Sequence, residues 1–85
     1  MSLDLLKKNQ KAIIMGFNLT DKNLLKRLYD IGIVKGTVVK CIAVSPLGDP
    51  KAYEIRGAVI ALRVRDADNI YGIIDRADKT PEVLL

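Results

Sequence analysis

The chain has no histidine, no tryptophan, and one cysteine, Cys41, among its 85 residues. Without histidine, the commonest general base and the commonest transition-metal ligand are both missing. A single thiol cannot close an intramolecular disulfide, form a Cys-x-x-Cys pair or build a zinc or iron–sulfur thiolate cluster, and it fits a reducing cytoplasm. Cys41 lies inside the apolar stretch TVVKCIAV (37–44), with Val39 and Ala43 expected on its face, and reads as a buried structural thiol. No apolar run reaches the ~18 residues that a membrane span needs, so no insertion into the bilayer is expected. The start, MSLDLLKKNQ, places Asp4 ahead of its lysines and is not a signal peptide; Met1-Ser2-Leu3 is given no weight.

Catalytic groupings are scarce as well. No serine or threonine stands in a nucleophile setting, and no Gly-x-x-x-x-Gly-Lys phosphate cradle occurs. Asp66, Asp68, Asp75 and Asp78 follow no calcium-loop spacing, and Asp66 reads as the cap of its own turn. Asp49, between Gly48 and Pro50, reads as a turn-shaping aspartate bonded to its own backbone. The chain is therefore expected not to be an enzyme, to use no cofactor, and to hold no catalytic or metal-ligating set. Tight stoichiometric binding of ferrous iron at micromolar levels is likewise not expected.

What is present is the composition of one small soluble domain: 49% hydrophobic and 28% charged. A chain of this size buries only about 60–65% of its unfolded surface, so one small core must suffice. The net charge of +4 raises the alternative of a nucleic-acid-binding barrel, but acidic residues are interleaved with the basic ones throughout. The clusters Lys7/Lys8/Lys11 and Lys22/Lys26/Arg27 lack the aromatic stacking partners that single strands need. No nucleic-acid partner is expected.

Leu3, Leu5 and Leu6 make an apolar opening, and KAIIMGF (11–17) has the length of a strand. In DKNLLKRLYDI (21–31), Leu24, Leu25, Leu28 and Ile31 share one helical face, with Lys22, Lys26 and Arg27 on the other side. Thr20 or Asp21 is positioned to cap the start. Gly32 stops the helix in a left-handed conformation, and Ile33 supplies the apolar contact back. Val34-Lys35-Gly36-Thr37 is a turn with positive φ at Gly36. Extended segments follow at 37–44, 52–57 and 58–64, with Tyr53 and Ile55 on one face and Gly57 as a bulge or sharp bend. Ala58, Ile60, Leu62 and Val64 share a face in the last of these. A helical turn is expected at 66–69, then an apolar piece at 70–74, then a frayed tail at 75–85. The expected fold is mainly β: a small barrel of about five strands, one helix at 21–31 guarding its open edge, and one helical turn.

SPLGDP (45–50) joins two of the strands and carries two prolines and a glycine, with Leu47 at its tip. Leu47 has two readings, an anchor for a protein partner or a side chain that folds back on the core. Loops on a rigid barrel are where such modules bind, so Pro46, Leu47, Gly48, Asp49 and Pro50 form the first candidate partner-binding set. The helix face with Lys22, Lys26 and Arg27 is the second.

In order and spacing, RLYDIGIVKGTVV (27–39), PLGDP (46–50) and IRGAVIALRVRDADNI (55–70) resemble the ferrous iron transport protein A family, FeoA. The similarity extends over about residues 3–74. It departs from the family at Lys35, where proline is usual, at Asp66, where glutamate is usual, and at Gln10-Lys11, which lacks a family glycine. The resemblance implies an SH3-like β-barrel, a cytoplasmic location, and a role as accessory to the ferrous iron permease FeoB. The same barrel occurs in metal-dependent repressors of the diphtheria toxin repressor type. Their helix-turn-helix domain has no room here, which leaves an isolated regulatory barrel as a further alternative.

Overall fold

The computed structural model describes residues 1–75. Five strands, β1 (Lys11–Phe17), β2 (Val38–Val44), β3 (Lys51–Ile55), β4 (Ala58–Leu62) and β5 (Ile70–Ile74), pair antiparallel in the order β4-β3-β2-β1-β5. Helix α1 (Lys22–Asp30) follows β1, and a single helical turn, α2 (Val64–Ala67), precedes β5. The mainly-β architecture expected from the sequence is the one observed.

Strand alternation decides which side chains reach the core. Ala12 and Ile14 of β1, Val39 and Cys41 of β2, Tyr53 and Ile55 of β3, Leu62 of β4 and Ile70 of β5 are all buried in one cluster. All five strands turn one face to the same interior, so the sheet curls into a small, partly open barrel whose end strands β4 and β5 are not bonded to each other. Leu24 and Leu28 of α1 join the same cluster, and α1 lies beside β4.

The helix ends are built as the residue types dictate. Asp21 is the cap: its Oδ1 accepts from the backbone N–H of Asn23 at 2.9 Å and of Leu24 at 3.2 Å. At the other end Gly32 adopts φ +94, its N–H reaching the Tyr29 carbonyl at 3.0 Å and that of Ile33 reaching Leu28 at 2.8 Å. This paired arrangement satisfies carbonyls that would otherwise be orphaned and turns Ile33 into the core. Thr37 N–H then bonds the Val34 carbonyl at 3.0 Å across the expected turn.

Three expectations are corrected, while at Gly57 the sharp bend, one of its two readings, is what forms: Arg56 and Gly57 are a two-residue hairpin turn, both with positive φ (52 and 82), and Ile55 pairs directly with Ala58. The bulges lie elsewhere, at Met15 in β1 and Ile42 in β2, where the register shifts. The second of these turns Ala43 off the face of Cys41, leaving Ala43 exposed while Cys41 stays buried. Strand β4 ends at Leu62, and the helical turn spans Val64–Ala67 in place of 66–69, so Val64 leaves the strand face.

The third correction concerns the first residues. Leu3 and Leu6 are fully buried, held by a 3₁₀ turn at Leu3–Leu5, while Leu5 stays exposed. The Met1 carbonyl accepts from Gly72 N–H, and the terminal ammonium donates to the Gly72 carbonyl, each at 2.9 Å. The chain start thus lies along the outer edge of β5. The tail expectation from residue 76 onward, Asp78 included, lies outside the described residues.

Candidate functional site

The 45–50 loop leaves β2 and enters β3 through the register pair Val44–Lys51. Ser45 N–H donates to the Pro50 carbonyl at 3.3 Å, and Gly48 N–H donates to the Ser45 carbonyl at 2.8 Å. Gly48 needs φ +85 to make that turn, a conformation open to glycine at little cost. Leu47 is left 94% exposed, so it does not fold back on the core. Pro46 and Asp49 are also exposed, and Gly48 and Pro50 are half-buried.

Asp49 does not bond its own turn. Its Oδ1 accepts from Val64 N–H at 3.0 Å, the first free amide of α2. This bond explains why the helical turn starts two residues ahead of the expected position. The loop supplies the cap that Arg63, at the capping position, does not. Asp49→Ala is expected to cost about 1 kcal/mol, the usual worth of a cap, and to loosen the loop against α2. Urea unfolding, with amide exchange read at Val64, checks it; unchanged exchange at Val64 would refute the capping role.

The second candidate set is divided by the structure. Arg27 lines a groove of about 470 Å³ between α1 and β4, floored by Leu28, Ile60 and Leu62. Asp30, Arg63 and Asp66 border the same groove, so its charges are mixed. Lys26 instead lines a different groove, of about 660 Å³, on the other flank of α1. Lys22 stands exposed in the first turn. The three cations therefore do not make one face: residues 26 and 27 are ~100° apart around a helix, enough to send them to opposite flanks. The groove beside β4 is anchored at the same α2 turn that Asp49 caps, which puts Arg27 rather than Lys26 on the loop's side. Sequence reasoning missed Ile60, Arg63 and Asp66 as groove residues; only the pairing of β4 beside α1 brings them together.

Metal chemistry finds no purchase in the described residues. Among them, no three of His, Cys, Asp and Glu gather. Burial pushes the Cys41 thiol up, only partly offset by Lys51, which disfavours the thiolate that a metal would require. Among the described residues, no helix is long and apolar enough to cross a membrane.

A curled five-stranded antiparallel sheet with a helix at its open side is the architecture of SH3-like barrel proteins. The sequence matches the FeoA domain family over residues 1–73, and the chain belongs to that family. The solved FeoA protein of Chlorobium tepidum is 30% identical, with a TM-score of 0.82 covering 87% of this chain and 70% of that one. The iron(II) transport protein A of Clostridium thermocellum is 32% identical, with a TM-score of 0.81; 87% of this chain matches only 45% of that one. A third is the FeoA of Stenotrophomonas maltophilia, 26% identical with a TM-score of 0.73 and 91% and 92% coverage. It was solved with zinc and described as a prokaryotic SH3 domain protein, proposed as a ferrous iron transport activating factor. A manganese-dependent transcriptional repressor, at 16% identity and a TM-score of 0.79, shares the fold alone. No curated protein matches.

Proposed function

We propose that this FeoA-family chain is a non-enzymatic accessory of ferrous iron uptake that binds the cytoplasmic side of a FeoB-type permease, with Leu47 as the anchor. Family membership supports the link to iron transport. The observation that carries the contact surface is Leu47, an aliphatic side chain 94% exposed at the tip of a loop tied at both ends. Water contact with that side chain is unfavourable, and its transfer into a partner's pocket would gain roughly 1.5–3 kcal/mol. Pro46 and the Ser45–Gly48 turn hold it outward at no further ordering cost.

The test is an NMR titration of labelled protein with the separately expressed cytoplasmic domain of the cognate permease. Shifts concentrated at residues 45–51 are expected. Leu47→Ala is expected to weaken binding by about 1–2 kcal/mol, roughly 5- to 30-fold, with the spectrum otherwise native. Unchanged affinity in that variant would remove Leu47 as the anchor; shifts confined to α1 would move the site to the helix.

A further inference from the structure

The larger groove, on the far flank of α1 from β4, has a chemistry that the loop reading does not use. Its floor is apolar: Phe17 from the end of β1, Leu25 from α1, and Ile33 and Val34 from the turn after the helix. Tyr29 forms one wall and is 71% exposed, the most exposed aromatic side chain described. The cations Lys26 and Lys35 complete the lining, and no carboxylate contributes to it.

The contrast with the groove beside β4 is informative. There, two arginines are matched by two carboxylates, Asp30 and Asp66, so the lining is balanced. Helix α1 thus sends Asp30 to one flank while Lys26 and Tyr29 face the other. The two walls of the cationic groove are fixed relative to each other by backbone bonds from Gly32 to Tyr29 (3.0 Å) and from Ile33 to Leu28 (2.8 Å). A preformed apolar trough rimmed by ammonium groups complements a ligand that is apolar at its centre and anionic at its flanks. The groove, about 660 Å³, is open to solvent and not enclosed, which suits a peptide segment better than a buried small molecule. Exposed tyrosine is also a side chain that carries binding energy at protein contacts.

From this geometry we infer that the Phe17–Tyr29 groove is a second docking site, taking an acidic peptide segment with a large apolar residue between carboxylates. The apolar residue packs between Tyr29 and Phe17, and the flanking carboxylates meet Lys26 and Lys35. This site is separate from the Leu47 loop and does not depend on what that loop binds.

The experiment uses the full, isotope-labelled chain and a blocked synthetic peptide with Leu-Phe flanked on both sides by glutamates. Saturable amide shifts at Phe17, Leu25, Tyr29 and Val34 are expected, weakening as sodium chloride rises. The paired substitution Lys26→Glu with Lys35→Glu is expected to reduce affinity at least tenfold, and Tyr29→Ala severalfold. Both changes are at exposed positions, and the dispersion of the amide spectrum reports whether the fold survives. If the charge-reversed pair does not fold, the salt dependence and Tyr29→Ala on the native background decide. No shifts at millimolar peptide would overturn the proposal, as would equal binding of a lysine-flanked peptide or shifts centred on the 45–50 loop. Dodecanoate displacing the peptide and binding more tightly would also overturn it, in favour of a lipid-like ligand.

Discussion

Substituting Tyr53 by alanine is expected to cost about 3–5 kcal/mol, a large share of the stability of so small a domain. Small domains hold only about 5–10 kcal/mol in total. Tyr53 sits at the middle of β3, paired with Cys41 on one side and Ile60 on the other. It is the largest of the fully buried side chains, so its removal leaves a cavity that the surrounding strands cannot close. Tyr53→Phe separates the ring from the hydroxyl. The hydroxyl reaches only the Leu3 carbonyl, at a long 3.5 Å, so its loss is expected to cost less than about 1 kcal/mol. The native chain and Tyr53→Phe differ in pH behaviour as well as in stability. Burial first, with Cys41 and Asp4 adding to it, holds the Tyr53 hydroxyl protonated far above the ordinary phenol range. The folded state therefore keeps this proton more tightly than the unfolded chain. Its contribution is fully present below the unfolded value of ~10 and is lost as pH rises above it, by up to ~1.4 kcal/mol per pH unit. The Cys41 thiol, raised by the same burial, begins a similar decline above its ordinary value of 9.0. Urea midpoints measured from neutral pH to pH 11 should fall for the native chain and fall less for Tyr53→Phe. A flat native profile across that range would contradict this account of the core.

The second large effect is expected at Gly72. A Cβ built there would stand 2.8 Å from the Ile13 carbonyl oxygen and 3.4 Å from Ala12 Cβ. The close neighbour is backbone, part of the β1–β5 ladder at the Ile13–Ile73 and Ile14–Gly72 pairs, and it cannot swing aside as a side chain would. On its other side Gly72 exchanges backbone hydrogen bonds with Met1, so relief in that direction breaks the cover on the sheet edge. Gly72→Ala is expected to destabilise by about 1–3 kcal/mol. Gly16 is the control, since it lies in the same ladder with nothing within 4 Å of its would-be Cβ. Gly16→Ala should change stability by less than about 0.5 kcal/mol. Equal effects of the two substitutions in thermal or urea unfolding would refute steric crowding as the cause.

The helix and its two ends were legible because each rests on local chemistry. Asp21 has the acceptor for free amides, and Gly32 has the backbone freedom for the reversal. Tyr53 and Ile55 were legible for a similar reason, since strand alternation depends on period alone. The bulges at Met15 and Ile42 were not, because a bulge is set by pairing with a neighbouring strand that the sequence does not display. The early start of α2 was hidden for a related cause: its cap is Asp49, fifteen residues upstream. The weight carried by Leu3 and Met1 was missed because short apolar starts carry no periodicity. At the candidate site, the exposure of Leu47 followed one of two open readings. The split of Lys26 and Arg27 between grooves depends on which elements flank α1, which only the fold reveals.

If Leu47 is the anchor proposed above, the Asp49–Val64 bond bears on how fast and how selectively the loop would meet its partner. Joined to α2 and closed by its own backbone turn, the loop presents Leu47 in one arrangement before any encounter. Few of its rotatable bonds remain to be frozen on contact, so association loses little configurational freedom there. A partner with a pocket of the right shape would find the anchor already in place. One with a misplaced pocket could not recruit it by bending the loop.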